Sequence, residues 1–133
     1  MGVLLILHSV WRWVVLLAAL GALYGLIRAG RGVALSPLFE RSIRFYPVIL
    51  DLQVGLGILL WLAQRLGGVP LTSVQVIHPV WGVLAAGAAH AAAAFREREN
   101  PIRARGMLIA YSLSLILILI ALSSVGAFPF GRR

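Results

Sequence analysis

Three histidines, one carboxylate and one arginine stand inside long apolar stretches of this 133-residue chain, and they hold most of its chemical possibility. His8 is followed at i+4 by Arg12 in the run His8-Ser9-Val10-Trp11-Arg12-Trp13. His78 opens the stretch HPVWGVLAAGAAH, and His90 closes it. Asp51 and Gln53 come early in another apolar stretch, and Tyr111 lies in a further one. Imidazole changes charge near neutral pH and ligates metals, so both properties are open to use. An ionisable group among apolar residues is a functional candidate by default, because charge is expensive there.

Spacing sorts these residues. On a helix His78, Gly82, Ala85 and Ala89 share one face, which presents an imidazole above a strip of almost no side-chain bulk. A flat, bulky partner could lie against that strip, or another helix could approach closely. His90 is twelve positions further on, roughly 18 Å along the axis and turned by about 120°, so the two histidines cannot serve one site.

The elements that must position these groups follow from composition. The chain is 61% hydrophobic and 12% charged, with a mean hydropathy of +0.96, which excludes an ordinary soluble domain. Four apolar segments, 3–27, 47–64, 74–95 and 107–128, each approach or exceed the roughly 17–25 residues that cross a bilayer as a helix. Backbone groups in hydrocarbon must be satisfied within their own segment. The expected fold is therefore all-α, one integral membrane four-helix bundle spanning residues 1–133. The first segment has no basic residue ahead of it and contains Arg12, so it is expected to remain a span and not a cleaved signal. Between segments one and two, Leu35, Leu38, Phe39, Ile43 and Tyr46 recur at helical spacing opposite Glu40, Arg41 and Arg44. That pattern predicts a short amphipathic surface helix over 36–46, with Pro37 at its first position.

All twelve basic residues are arginine. Arg28, Arg31, Arg41, Arg44, Arg96, Arg98, Arg103 and Arg105 fall in the loops joining segments one to two and three to four; Arg12, Arg65, Arg132 and Arg133 fall on the other side. This asymmetry predicts cytoplasmic loops, both termini outside, and residence in the cell's inner membrane. The formal charge of +8 then reads as a topology signal and an attraction to anionic lipid, not as a nucleic-acid surface. With no cysteine, disulfides and thiolate metal sites are excluded.

Threading the segments in alternate directions predicts two polar clusters. His8, Arg12, His78 and Gly82 gather near the outer face, while Asp51, Gln53, His90 and Tyr111 gather near the inner one. Two imidazoles on parallel helices, over small residues, suit the axial ligation of a haem in a helical bundle, with Arg12 neutralising a propionate. Imidazoles without carboxylates make a thin site for a bare metal ion. The inner cluster could pass a proton to a quinone head group. Structural readings stand beside these. Arg12 with Trp11 and Trp13 could anchor an interface, and Asp51 could complement a helix dipole and pair with Arg44. The small residues Gly82, Ala85, Ala86, Ala89 and Ala93 could pack against other membrane subunits, making the chain a cofactor-free accessory protein. The fourth segment reads as scaffold.

The run His8-Ser9-x-x-Arg12-Trp13, then Asp51-x-Gln53, then His78-Pro79 and His90, resembles small four-helix bacterial membrane proteins labelled cytochrome b-like, over essentially the whole chain. The resemblance implies a b-type haem protein in a respiratory or related electron-transport complex. His8 and His78 would be its iron ligands, and His90 the third candidate. Ile77 departs from the Glu usual before His-Pro in that pattern, which leaves no carboxylate beside His78.

Overall fold

The computed structural model describes residues 2–126. It consists of α1 (Gly2–Gly30), α2 (Pro37–Leu66), α3 (Ser73–Ala91), a 3-10 turn over Ala92–Phe95, and α4 (Ile102–Ser124). All four long segments are long and apolar enough to cross a membrane. The chain is an all-helical, four-helix bundle of multi-pass membrane character. Leu17, Ile58, Val83 and Ile116, one from each helix, are among the many large apolar side chains left on its outside, as lipid contact requires.

Local chemistry closes the helices where they end. After α1, Gly32 takes a left-handed φ of 72°, which lets its N–H reach the Ala29 carbonyl and the Val33 N–H reach that of Arg28. Gly68, at φ 74°, repeats the arrangement after α2, with bonds from Gly68 to Arg65 and from Val69 to Gln64. At the start of α3, Thr72 accepts from the Gln75 N–H while the Gln75 side chain accepts from Thr72, a reciprocal capping box.

One boundary differs from the sequence expectation. The amphipathic stretch 36–46 and the segment from 47 to 64 form a single helix, Pro37–Leu66, and Pro47 lies buried inside it. Proline has no N–H, so the Ile43 carbonyl loses the donor that residue 47 would supply. The Tyr111 hydroxyl, from α4, donates to that carbonyl at 2.7 Å. A side chain from a neighbouring helix replaces the missing bond, and α2 continues without a break. The fourth segment is correspondingly more than scaffold.

α1 packs most closely on α2, and α3 on α4, with α1 also against α4 and α2 against α3. The helices therefore sit at the corners of a square, with α1 facing α3 and α2 facing α4 across its diagonals. In the half nearer the α1–α2 connection, the α2–α4 diagonal is filled. Tyr46 and Tyr111 meet edge to face, their ring centroids 4.8 Å apart. Ser114 donates to the Ala85 carbonyl at 2.8 Å, so at 2.7 Å its oxygen accepts from Tyr46, and this relay ties α2, α4 and α3 together. Ala85 and Ala89 are fully buried, so the small face of α3 is used inside this bundle. The Phe95 ring lies against Gly106, where any Cβ would collide with it.

The account of Pro47 predicts a coupling. Tyr111→Phe should cost about 1–3 kcal/mol by stranding a buried carbonyl. In a Pro47→Ala background the restored backbone N–H should reduce that cost. Unfolding of the two single variants and the double variant in detergent measures both, and an equal cost in the two backgrounds would refute the compensation.

Candidate functional site

At the end of the bundle opposite the tyrosines, the α1–α3 diagonal is occupied by histidines. His78 is held by main chain. Near the end of α4 the Val125 N–H turns to the Leu122 carbonyl, and the Ala121 carbonyl accepts instead from the Ser124 hydroxyl at 2.7 Å and meets His78 Nδ1 at 2.8 Å. A carbonyl can only accept, so Nδ1 carries the proton of this bond. In the neutral ring Nε2 is then left with a free lone pair, the tautomer of a metal-ligating histidine whose other nitrogen is held by a backbone carbonyl.

His8 is held by α2. The Gln53 amide nitrogen donates to the His8 carbonyl at 3.1 Å and lies 3.2 and 3.3 Å from the two ring nitrogens. Gly57, one turn on, leaves the space the ring needs, since a Cβ there would stand 3.0 Å from His8 Cε1. Gln53 was expected with Asp51 in the other cluster. Two residues apart on a helix point about 200° away from each other, so Gln53 turns to α1 while Asp51 turns to α3. Sequence reading also missed Gly57, although its place four residues after Gln53 was a usable signal.

The two rings face each other with centroids 6.2 Å apart and planes at 79°. They line a partly open cleft of about 370 Å³, together with Arg12, Trp61, Gln64 and Gly82. Arg12 is half-buried, with its guanidinium 5.5 Å from the Trp13 ring. Two buried polar atoms on the cleft wall, Trp61 Nε1 and Gln53 Oε1, have no hydrogen-bond partner. Arg65 bonds Gln75 at 2.9 Å and Gln75 bonds Gln64 at 3.2 Å, a polar bridge from α2 to α3 beside the cleft. Trp11, expected in an interfacial belt, donates to the Ile49 carbonyl at 2.9 Å and fastens α1 to α2.

The other predicted cluster is only partly assembled. His90 Nε2 lies 2.8 and 3.0 Å from the Asp51 carboxylate oxygens, so Asp51 pairs with His90 and not with Arg44. These side chains are 53% and 46% exposed, on the flank between α2 and α3. Tyr111 is not part of the pair; it is buried in the core against Tyr46 and spent on Ile43. His90 does not line the cleft, which removes it as a third ligand beside His8 and His78.

His8 and His78 would be the residues to hold a haem. An imidazole nitrogen binds a first-row metal at roughly 2.0–2.1 Å, so two imidazoles would hold one iron only where their rings lie close together. The observed separation is 6.2 Å. The cleft that both rings line, with Gly82 on its wall, is where a bulky occupant would lie, and Gly57 makes room for the His8 ring itself. Among the described residues no three His, Cys, Asp or Glu side chains cluster as ligands for a bare ion. Comparison with family models, with curated proteins and with solved structures finds no match for this chain.

An unpartnered buried donor lowers stability by about 1–3 kcal/mol. Trp61→Phe, which removes this N–H together with one ring of the indole, should therefore cost the cofactor-free protein less than the lost packing alone. A fall in its thermal midpoint larger than the lost ring volume accounts for would show that the indole nitrogen already has a partner.

Proposed function

We propose that this chain is a b-type haem protein of the bacterial cytoplasmic membrane that takes part in electron transfer as a subunit of a respiratory or related complex. The observation that carries the reading is the pair His8 and His78, 6.2 Å apart on diagonal helices, with His78 Nε2 freed by the Ala121 carbonyl. His8 and His78 would hold the iron, with Gly57 making room for the His8 ring. Arg12 would offset the charge of a propionate. Bound there, haem supplies a one-electron redox couple inside the membrane.

The chain's own residues do the rest. The Ala121 carbonyl fixes the tautomer and direction of His78, and Gln53 holds His8 against α2. Leu50, Leu60 and Ile118 give the cleft an apolar lining. Within this reading a quinone pool is the electron partner. The Asp51–His90 pair, on the membrane-facing flank, is the group able to exchange a proton with a quinone head group. The small-residue face of α3 supports the cofactor-free accessory role less well, because Ala85 and Ala89 are consumed within the bundle.

Protein purified from haem-replete cells should show a Soret band and, once reduced, sharp α and β bands. His8→Ala and His78→Ala should each abolish them, and Gly57→Val should reduce haem content by crowding His8. His90→Gln should leave the spectrum unchanged, since His90 lies off the cleft. Colourless protein that binds no added haem would refute the proposal and favour the accessory role.

A further inference from the structure

A second cavity, of about 700 Å³, lies at the opposite end of the bundle from the histidines. Its walls are the end of α1, the connection through Gly32–Leu35, the first turns of α2, the segment around Arg96 and Asn100, and the start of α4. Three arginines line it, Arg44, Arg96 and Arg103, with Glu40 as the single acidic residue. None of the three has a carboxylate within ion-pairing distance among the described residues, where the one ion pair is Asp51–His90. The floor is apolar, made by Leu26, Ile43 and Met107.

Eight arginines on this side would satisfy the charge rule for orientation wherever they stood in the loops. The structure does something narrower with three of them: it brings them from α2, the α3–α4 connection and α4 around one concavity. Guanidinium groups bond phosphate oxygens in pairs and remain charged at every accessible pH. Basic pockets between membrane helices are suited to anionic head groups. A polar wall above an apolar floor further matches a phosphate that carries a hydrocarbon neighbour.

We propose that this basin is a binding site for an anionic phosphate ester, held by Arg44, Arg96 and Arg103, as the head group of an acidic phospholipid or as free phosphate. The site is independent of the haem reading. The full chain in neutral detergent, titrated with phosphatidylglycerol or phosphatidylcholine and read by native mass spectrometry, tests it. Phosphatidylglycerol should bind roughly tenfold or more tightly than phosphatidylcholine. The preference should vanish in the triple variant Arg44→Gln/Arg96→Gln/Arg103→Gln. It should persist in Arg31→Gln/Arg41→Gln/Arg98→Gln, which removes the same charge from arginines outside the cavity.

Inorganic phosphate as competitor separates the sources. Displacement of the lipid at millimolar concentration identifies phosphate alone as sufficient, and its failure assigns the site to the lipid. Equal binding of the two lipids by the unmodified protein would overturn the proposal, as would equal loss in the two triple variants. The first comparison needs no variant, so a misfolded mutant does not rescue the idea.

Discussion

Within an apolar bundle a main-chain carbonyl that lacks its helical donor has no water to turn to, and this constraint organises the polar contacts of the protein. Polar side chains link the helices largely by donating to backbone. Tyr111 serves Ile43, Ser114 serves Ala85, Trp11 serves Ile49, Gln53 serves His8, and His78 serves Ala121. Two of these acceptors are short of helical donors for identifiable reasons. Pro47 strips one from Ile43, and the turn at the end of α4 strips one from Ala121. The first defect fixes how α4 sits on α2, and the second fixes which nitrogen of His78 is free.

The two halves of the bundle use their diagonals differently. Tyr46 and Tyr111 close one half, where the serine relay leaves no room for a guest. In the other half the facing positions are His8 and His78, flanked by Gly57 and Gly82, and a cleft remains. The difference lies in side-chain volume at a few positions, since the helices and their packing partners are the same throughout. A stable half and an open half in one small bundle is a workable division for a cofactor site, because the packed half bears the cost of the unfilled one.

Charge is also partitioned. The histidine cleft is lined by one arginine, Arg12, while the basin at the other end gathers three. The single ion pair among the described residues sits outside both, on the flank of α2 and α3.

Much of this was legible in the sequence. Hydropathy gave four spans, and alternate threading set His8 level with His78. The face of α3 bearing His78, Gly82, Ala85 and Ala89 does turn inward. That Asp51 and His90 stand at one level also followed from depth along the helices, while their pairing did not. Tertiary structure alone decided that α2 runs through Pro47, that Gln53 serves His8, that Tyr111 is spent in the core, and that Ala121 orients His78. The common reason is that each depends on a backbone carbonyl or a helix rotation. Main-chain acceptors are identical at every residue and leave no mark in the amino-acid types, and only the packed helices reveal which of them has lost its donor.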